Sequence, residues 1–301
     1  MSPLASRPAL LAIAVCALAY AASLTVLLRM PGASAVEPLF LLGVLGIAFP
    51  ALALLLTRRP APVTRGLTQP PRTLWTVLLY LAVFAVLVLG WGFSALKEAV
   101  PNAPAQSIAE LAVKLVVMVA LPLLLFVRSS RQPRRFTATR LWWVLLAMGA
   151  AFLAFQAVFG RGLVTLRELA PSATTLAWAI PACLAWQTLE AGLAEEVLFR
   201  RVLQQRLADA LRSPLAGILW ASLLFGLAHA PGLYLRGAHQ MEGVAEATVP
   251  WAIAYSVVMI APAGIVFGVL WARTRSLTLV VLLHGLVDLL PQLAPFIRTW
   301  A

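Results

Sequence analysis

Residues 36–57 read VEPLFLLGVLGIAFPALALLLT, a run in which Glu37 is the single charged residue. A helix of about 20 apolar residues is long enough to cross the hydrocarbon core of a bilayer. The chain contains nine runs of this kind, over 8–28, 36–57, 74–95, 107–127, 141–159, 174–198, 214–234, 249–272 and 276–291. They are too long for the alternating ten-residue strands of a membrane barrel, so we predict that all nine are helices.

The composition supports a membrane protein with only α-helices. Of the 301 residues, 62% are hydrophobic and 11% are charged, whereas soluble domains average roughly 45–50% and about 25%. A soluble protein of this length could not bury so much apolar surface, which excludes a soluble enzyme and a disordered chain. Cys16 and Cys183 both lie inside apolar runs, so a disulfide scaffold is also excluded.

The distribution of positive charge predicts an orientation. The net charge of the chain is +12. The arginines are concentrated in alternate gaps between the apolar runs, at 58–73, 128–140, 199–213 and 273–275. Such loops are typical of the cytoplasmic side, so we predict a cytoplasmic N-terminus and an external C-terminus. Cleavage of residues 1–28 as a signal peptide would leave eight helices in the same orientation. This pattern indicates lipid and not nucleic acid as the partner of the basic residues.

Ionisable side chains at membrane depth are concentrated in the last four runs. Such groups cost several kcal/mol in a bilayer, so each is a candidate for function. In the first five runs, Glu110 and Lys114 stand four residues apart, and mutual pairing on one helix face explains them without chemistry. The candidate chemistry therefore lies in the second half of the chain.

Three patterns in this half place polar side chains at helical spacing: Glu195-Glu196-x-x-x-Arg200, Phe225-x-x-x-His229 and His284-x-x-x-Asp288. Adjacent residues on a helix point about 100° apart, so the two glutamates cannot share one task. Pairing of Glu196 with Arg200 would leave Glu195 facing the interior. Each pattern alone also fits a structural salt bridge or a satisfied core histidine. Three of them in a chain this poor in polar groups favour a site.

The motifs Glu195-Glu196-Val-Leu-Phe-Arg200, Phe225-Gly-Leu-Ala-His229 and His284-Gly-Leu-Val-Asp288 resemble the three ordered motifs of the CPBP family. This family comprises the CAAX-protease and bacteriocin-processing intramembrane endopeptidases. The resemblance covers about 174–291 and implies a catalytic core of four helices at 172–292. It leaves 1–171 as an N-terminal region of five helices and 293–301 as a C-terminal tail.

The resemblance also implies a role for each motif residue. Glu195 would be the catalytic carboxylate, with Glu196, Arg200 and Phe225 as structural partners of the site. His229 would help to activate water, while His284 and Asp288 would hold the oxyanion. The family often has Asn where this chain has Asp288. An ionised carboxylate would repel an oxyanion, so Asp288 would be protonated, turned toward His284, or a metal ligand.

Two mechanisms stay open at this point. In the favoured one, Glu195 activates water and no cofactor is required. In the other, His229, His284 and Asp288 bind Zn²⁺ and Glu195 is the base, although the chain lacks the His-Glu-x-x-His signature.

The expected substrate is a membrane-anchored peptide or protein in the lipid bilayer; cleavage of prenylated CAAX tails and the oligomeric state stay open. The composition, rich in Ala, Leu and Arg, is typical of a high-GC bacterium, which suggests the cytoplasmic (inner) membrane. A proton-coupled transporter and a non-catalytic immunity or scaffold protein are the alternative functions.

Overall fold

The computed structural model describes residues 6–30, 33–58, 72–127, 136–236 and 247–301. Over these ranges all regular structure is helical and no strand is present. We number the helices α1 Arg7–Leu27, α2 Val36–Leu56, α3 Leu74–Ala99, α4 Ala103–Phe126, α5 Ala138–Phe159, α6 Gly162–Leu169, α7 173–210, α8 Pro214–Arg236, α9 Val249–Thr274 and α10 Leu277–Trp300.

Eight of these helices are long and apolar enough to cross a membrane, namely all except α6 and α7 within the described residues. The chain is therefore an all-α polytopic membrane protein, as predicted. The count differs from nine because the predicted span 174–198 is only the first part of α7, in which Gln187, Glu190 and Glu195 interrupt the apolar run. Many of the loop arginines that predict the orientation, including Arg65 and Arg131, lie outside the described residues, so the orientation stays a prediction.

The last helix is longer than the sequence predicts. The apolar run ends at 291, but α10 continues to Trp300 with Pro291 and Pro295 inside it. Proline costs a helix a backbone hydrogen bond, and burial of apolar side chains on the same turns offsets that cost. Leu293 and Phe296, both buried, provide this packing.

By packing, the chain divides into two compact units, and each takes segments from both halves of the sequence. The first consists of Met1–Leu55, Thr64–Ala99 and Phe199–Ala272; the second consists of Leu56–Val63, Val100–Leu198 and Arg273–Ala301. The first unit has a buried cluster that includes Leu27, Trp251 and Val258. The division of the chain near 171, which follows the motifs, stays a prediction.

In the second unit, α7 and α10 approach each other at glycines. A Cβ atom at Gly285 would lie 2.9 Å from the Cα atom of Thr188, and one at Gly192 would lie 2.5 Å from the carbonyl oxygen of Val281. Real Cβ atoms do not come this close, so the two backbones touch directly. A buried cluster including Cys183 and Leu289 continues the contact. This close packing positions the polar residues of α7 against α10.

Substitution of Gly285 by alanine is expected to destabilise the protein by about 1–3 kcal/mol, because the added methyl group overpacks the contact. The measurement is the unfolding temperature of the purified protein in detergent. Gly43→Ala is the matched control, since a Cβ at Gly43 would meet nothing within 4 Å. Equal unfolding temperatures for the two variants would show that the close approach is not needed.

Candidate active site

Helix α7 contains two π-helical segments, Thr188–Leu193 and Glu196–Gln204. Glu195 lies between them, and Glu196 is the first residue of the second. A π-helical turn bonds residue i to i+5 and therefore changes the direction of the side chains that follow it. Spacing arguments based on a regular α-helix do not hold here. Irregular turns of this kind occur frequently at functional sites.

The imidazole of His284 is held by Glu196. The Nδ1 atom of His284 lies 2.8 Å from Oε1 of Glu196, and the Glu196 side chain is 0% exposed. A carboxylate oxygen only accepts, so the Nδ1–H group donates this hydrogen bond. The bond fixes the ring orientation and directs Nε2 to the opposite side.

Two further carboxylates face the Nε2 atom of His284. Oδ2 of Asp288 lies 3.5 Å away and Oε2 of Glu195 lies 3.6 Å away. Both distances exceed that of an ordinary hydrogen bond, so these are close contacts between polar groups. The Asp288 side chain is 31% exposed and the Glu195 side chain 14%, against 0% for Glu196. The open side of the imidazole is therefore the side with Glu195 and Asp288.

This arrangement adds a contact that motif spacing did not predict. Spacing suggested Arg200 as a partner of Glu196 and gave no indication that Glu196 contacts His284. In the structure, the carboxylate that orients the imidazole through Nδ1 is Glu196, whereas Asp288 shares the Nε2 side with Glu195. The π-helical turns explain the difference, and nothing in the local sequence pattern would have shown them.

A lysine extends the charged cluster of the second unit. The ammonium group of Lys114 on α4 pairs with Oε1 of Glu190 on α7. Glu110, the partner expected from spacing, accepts a hydrogen bond of 2.8 Å from Nε2 of Gln106. Sequence analysis missed the contact of Lys114 with Glu190 because the two residues are 76 positions apart.

The other motif residues lie in the first unit and pack around the ring of Phe225. The guanidinium carbon of Arg200 lies 5.1 Å from the ring centroid, and the rings of Phe199 and His229 meet it edge-on at 5.1 and 5.0 Å. Nδ1 of His229 lies 2.8 Å from the carbonyl oxygen of Phe225. Since a carbonyl only accepts, Nδ1 donates, and in the neutral ring Nε2 is the nitrogen that can accept a proton.

The described residues contain no group of three or more His, Cys, Asp or Glu side chains arranged to hold a metal ion. The alternative zinc set of His229, His284 and Asp288 stays a hypothesis. The bond of Nδ1 to Glu196 leaves Nε2 as the nitrogen of His284 that could bind a metal. No step below is derived through a metal, and chelation tests the alternative.

Residues 173–290 match the family model described as type II CAAX prenyl endopeptidase, Rce1-like. The matched segment contains all three motifs. No curated protein and no solved structure matches the chain.

Proposed function

We propose that this chain is an intramembrane endopeptidase acting on a membrane-anchored peptide or protein, because residues 173–290 match the family model described as type II CAAX prenyl endopeptidase, Rce1-like. The observation that carries the proposal is the imidazole of His284, held on one side by buried Glu196 and faced on the other by Glu195 and Asp288. Peptide hydrolysis needs a base for water, a donor for the oxyanion and a proton for the leaving amine. This group of side chains can supply all three.

In the proposed mechanism, Glu195 is the base. Its carboxylate takes a proton from water as the water oxygen bonds to the scissile carbonyl carbon, and the carbonyl electron pair becomes an oxyanion. His284 donates its Nε2–H to that oxyanion. Glu195 then returns the proton to the amide nitrogen as the C–N bond breaks, which leaves a carboxylic acid and an amine.

The charges around His284 suit this role. A ring that donates from both nitrogens is an imidazolium, and such a cation in an apolar surrounding needs nearby negative charge. Glu196 provides that charge at Nδ1, and Asp288 provides it near Nε2. We therefore assign Glu196 as a positioning residue and Glu195 and His284 as catalytic residues.

His229 is proposed to help activate water, as the family motif implies. The support is the family motif, together with the bond of its Nδ1 to the carbonyl of Phe225, which leaves Nε2 as the accepting nitrogen. Arg200 and Phe225 then act as the packing that holds this ring.

The proposal is tested with the full-length protein reconstituted in lipid nanodiscs. One fluorogenic peptide carries a farnesylated cysteine in a CAAX tail, and a second carries a single apolar helix as its anchor. We expect cleavage of at least one peptide, with products identified by mass spectrometry. The rate should not fall in EDTA or 1,10-phenanthroline.

Other results would favour the alternatives. A rate of cleavage that is lost in chelator and recovers in Zn²⁺ would favour the metal mechanism. Proton-driven uptake without cleavage would favour a transporter. Absence of both uptake and cleavage would favour a scaffold protein.

Asp288→Asn is expected to keep the rate of cleavage within about threefold, because the side-chain amide can donate to the oxyanion directly. Asp288→Leu, of similar size but without hydrogen-bonding atoms, is expected to lose about tenfold or more. Both rates are measured in the same assay. An Asn variant as slow as the Leu variant would mean that the reaction needs a carboxylate at this position.

A further inference from the structure

A polar cavity of about 170 Å³ lies in the second unit, among α4, α7 and α10. A water molecule in the liquid takes up about 30 Å³, so the cavity has room for several waters or for one long side chain. Its walls combine two carboxylates, the amide of Gln187 and three aromatic rings.

The aromatic wall consists of Trp186, Phe296 and Trp300. The rings of Trp186 and Trp300 have centroids 5.2 Å apart, and the ring of Phe296 lies 6.0 Å from that of Trp300. The face of an aromatic ring carries partial negative charge and attracts cations, most strongly at tryptophan. The wall therefore favours a positively charged group.

The carboxylates of the lining also favour a positively charged group. Glu110 and Glu190 both line the cavity. Lys114 pairs with Glu190 and offsets one of these two negative charges. A cation that enters the cavity would therefore meet the charge of one carboxylate, that of Glu110.

Gln187 points independently to a ligand. This side chain lines the cavity and is only 6% exposed. Within the described ranges of the chain, no residue forms a hydrogen bond with its amide group. An amide that lines a cavity without a protein partner can bond to a ligand, and its carbonyl oxygen could accept a bond from an N–H donor.

We propose that this cavity binds the basic side chain, arginine or lysine, of the substrate peptide. The proposal rests on the endopeptidase function. Glu190 precedes Glu195 by five residues on α7, and Gln292, also in the lining, follows Asp288 by four on α10. Along the regular helix α10, four residues at 1.5 Å each place the cavity about 6 Å from the site. An extended peptide spans about 3.3 Å per residue, so the basic residue lies about two positions from the scissile bond.

The test compares two anchored peptides that differ only in arginine or citrulline, which has the same shape without the charge. Binding is measured by fluorescence anisotropy on full-length Glu195→Gln protein in nanodiscs, so that cleavage does not interfere. We expect the arginine peptide to bind at least about tenfold more tightly. In the same background, Glu110→Gln is expected to reduce this preference to about twofold. Glu168→Gln, an exposed carboxylate of α6 outside the cavity, keeps it.

The outcomes separate this proposal from the endopeptidase function. A preference for arginine that depends on Glu110, without cleavage by the unmodified protein, supports the cavity assignment and contradicts the enzyme. Cleavage with equal binding of both peptides overturns the assignment alone. Displacement by phosphocholine at lower concentration than by acetyl-arginine amide also overturns it, since the cavity would then bind a lipid headgroup. Should Glu110→Gln not fold, Gln187→Leu is used with the same criteria.

Discussion

Replacing Glu195 by glutamine is expected to lower the rate of peptide cleavage by about a thousandfold or more. Glutamine has nearly the same shape, but its amide cannot take a proton from water. Without that transfer the attacking oxygen stays a weak nucleophile, whatever the state of His284. The measurement is the initial rate of cleavage in nanodiscs, followed by fluorescence and checked by mass spectrometry.

The variant should remain folded, because Glu195 is not the residue that holds His284. Its Oε2 atom is 3.6 Å from Nε2 of His284, beyond hydrogen-bond distance. An unchanged unfolding temperature checks this point. Glu168→Gln, which removes an exposed carboxylate of the same unit, serves as the control and should cleave at the normal rate. A Glu195→Gln variant that keeps more than a tenth of the rate would remove Glu195 from the mechanism.

The membrane helices could be predicted from the sequence because lipid allows few alternatives. A backbone in hydrocarbon must satisfy its own hydrogen bonds, so each long apolar run forms a helix. All eight observed membrane helices coincide with predicted runs. The prediction failed where this constraint weakens. Helix α7 continues through the charged residues after 198, and α10 continues through Pro291 and Pro295, because tertiary packing sustains both.

The chemistry of the candidate site could be predicted only in part. Motif spacing identified His284 and the glutamates of α7 as candidates, and the structure places them in contact. The partner of each group could not be read from spacing. The contact of Glu196 with His284 depends on the π-helical turns of α7, and the contact of Lys114 with Glu190 depends on tertiary packing.

The bond between Glu196 and His284 explains why a fully buried carboxylate is kept in this core. A charge without exposure to solvent is tolerated only when it is paired and hydrogen-bonded. Glu196 is 0% exposed and has the Nδ1–H group of His284 at 2.8 Å. Removing its charge leaves the imidazolium without its closest counterion. The ring should then lose a proton and with it the ability to donate to the oxyanion.

Glu196→Gln is therefore expected to lower kcat by about a hundredfold, with KM little changed. A purely structural role predicts a lower unfolding temperature and a smaller amount of active protein instead. The two are distinguished by ¹⁵N NMR of histidine-labelled protein, which contains only three histidines. The His284 signal should change from an imidazolium to a neutral ring in Glu196→Gln, but not in Glu168→Gln. A normal kcat with a neutral ring would show that His284 does not need its positive charge to stabilise the oxyanion.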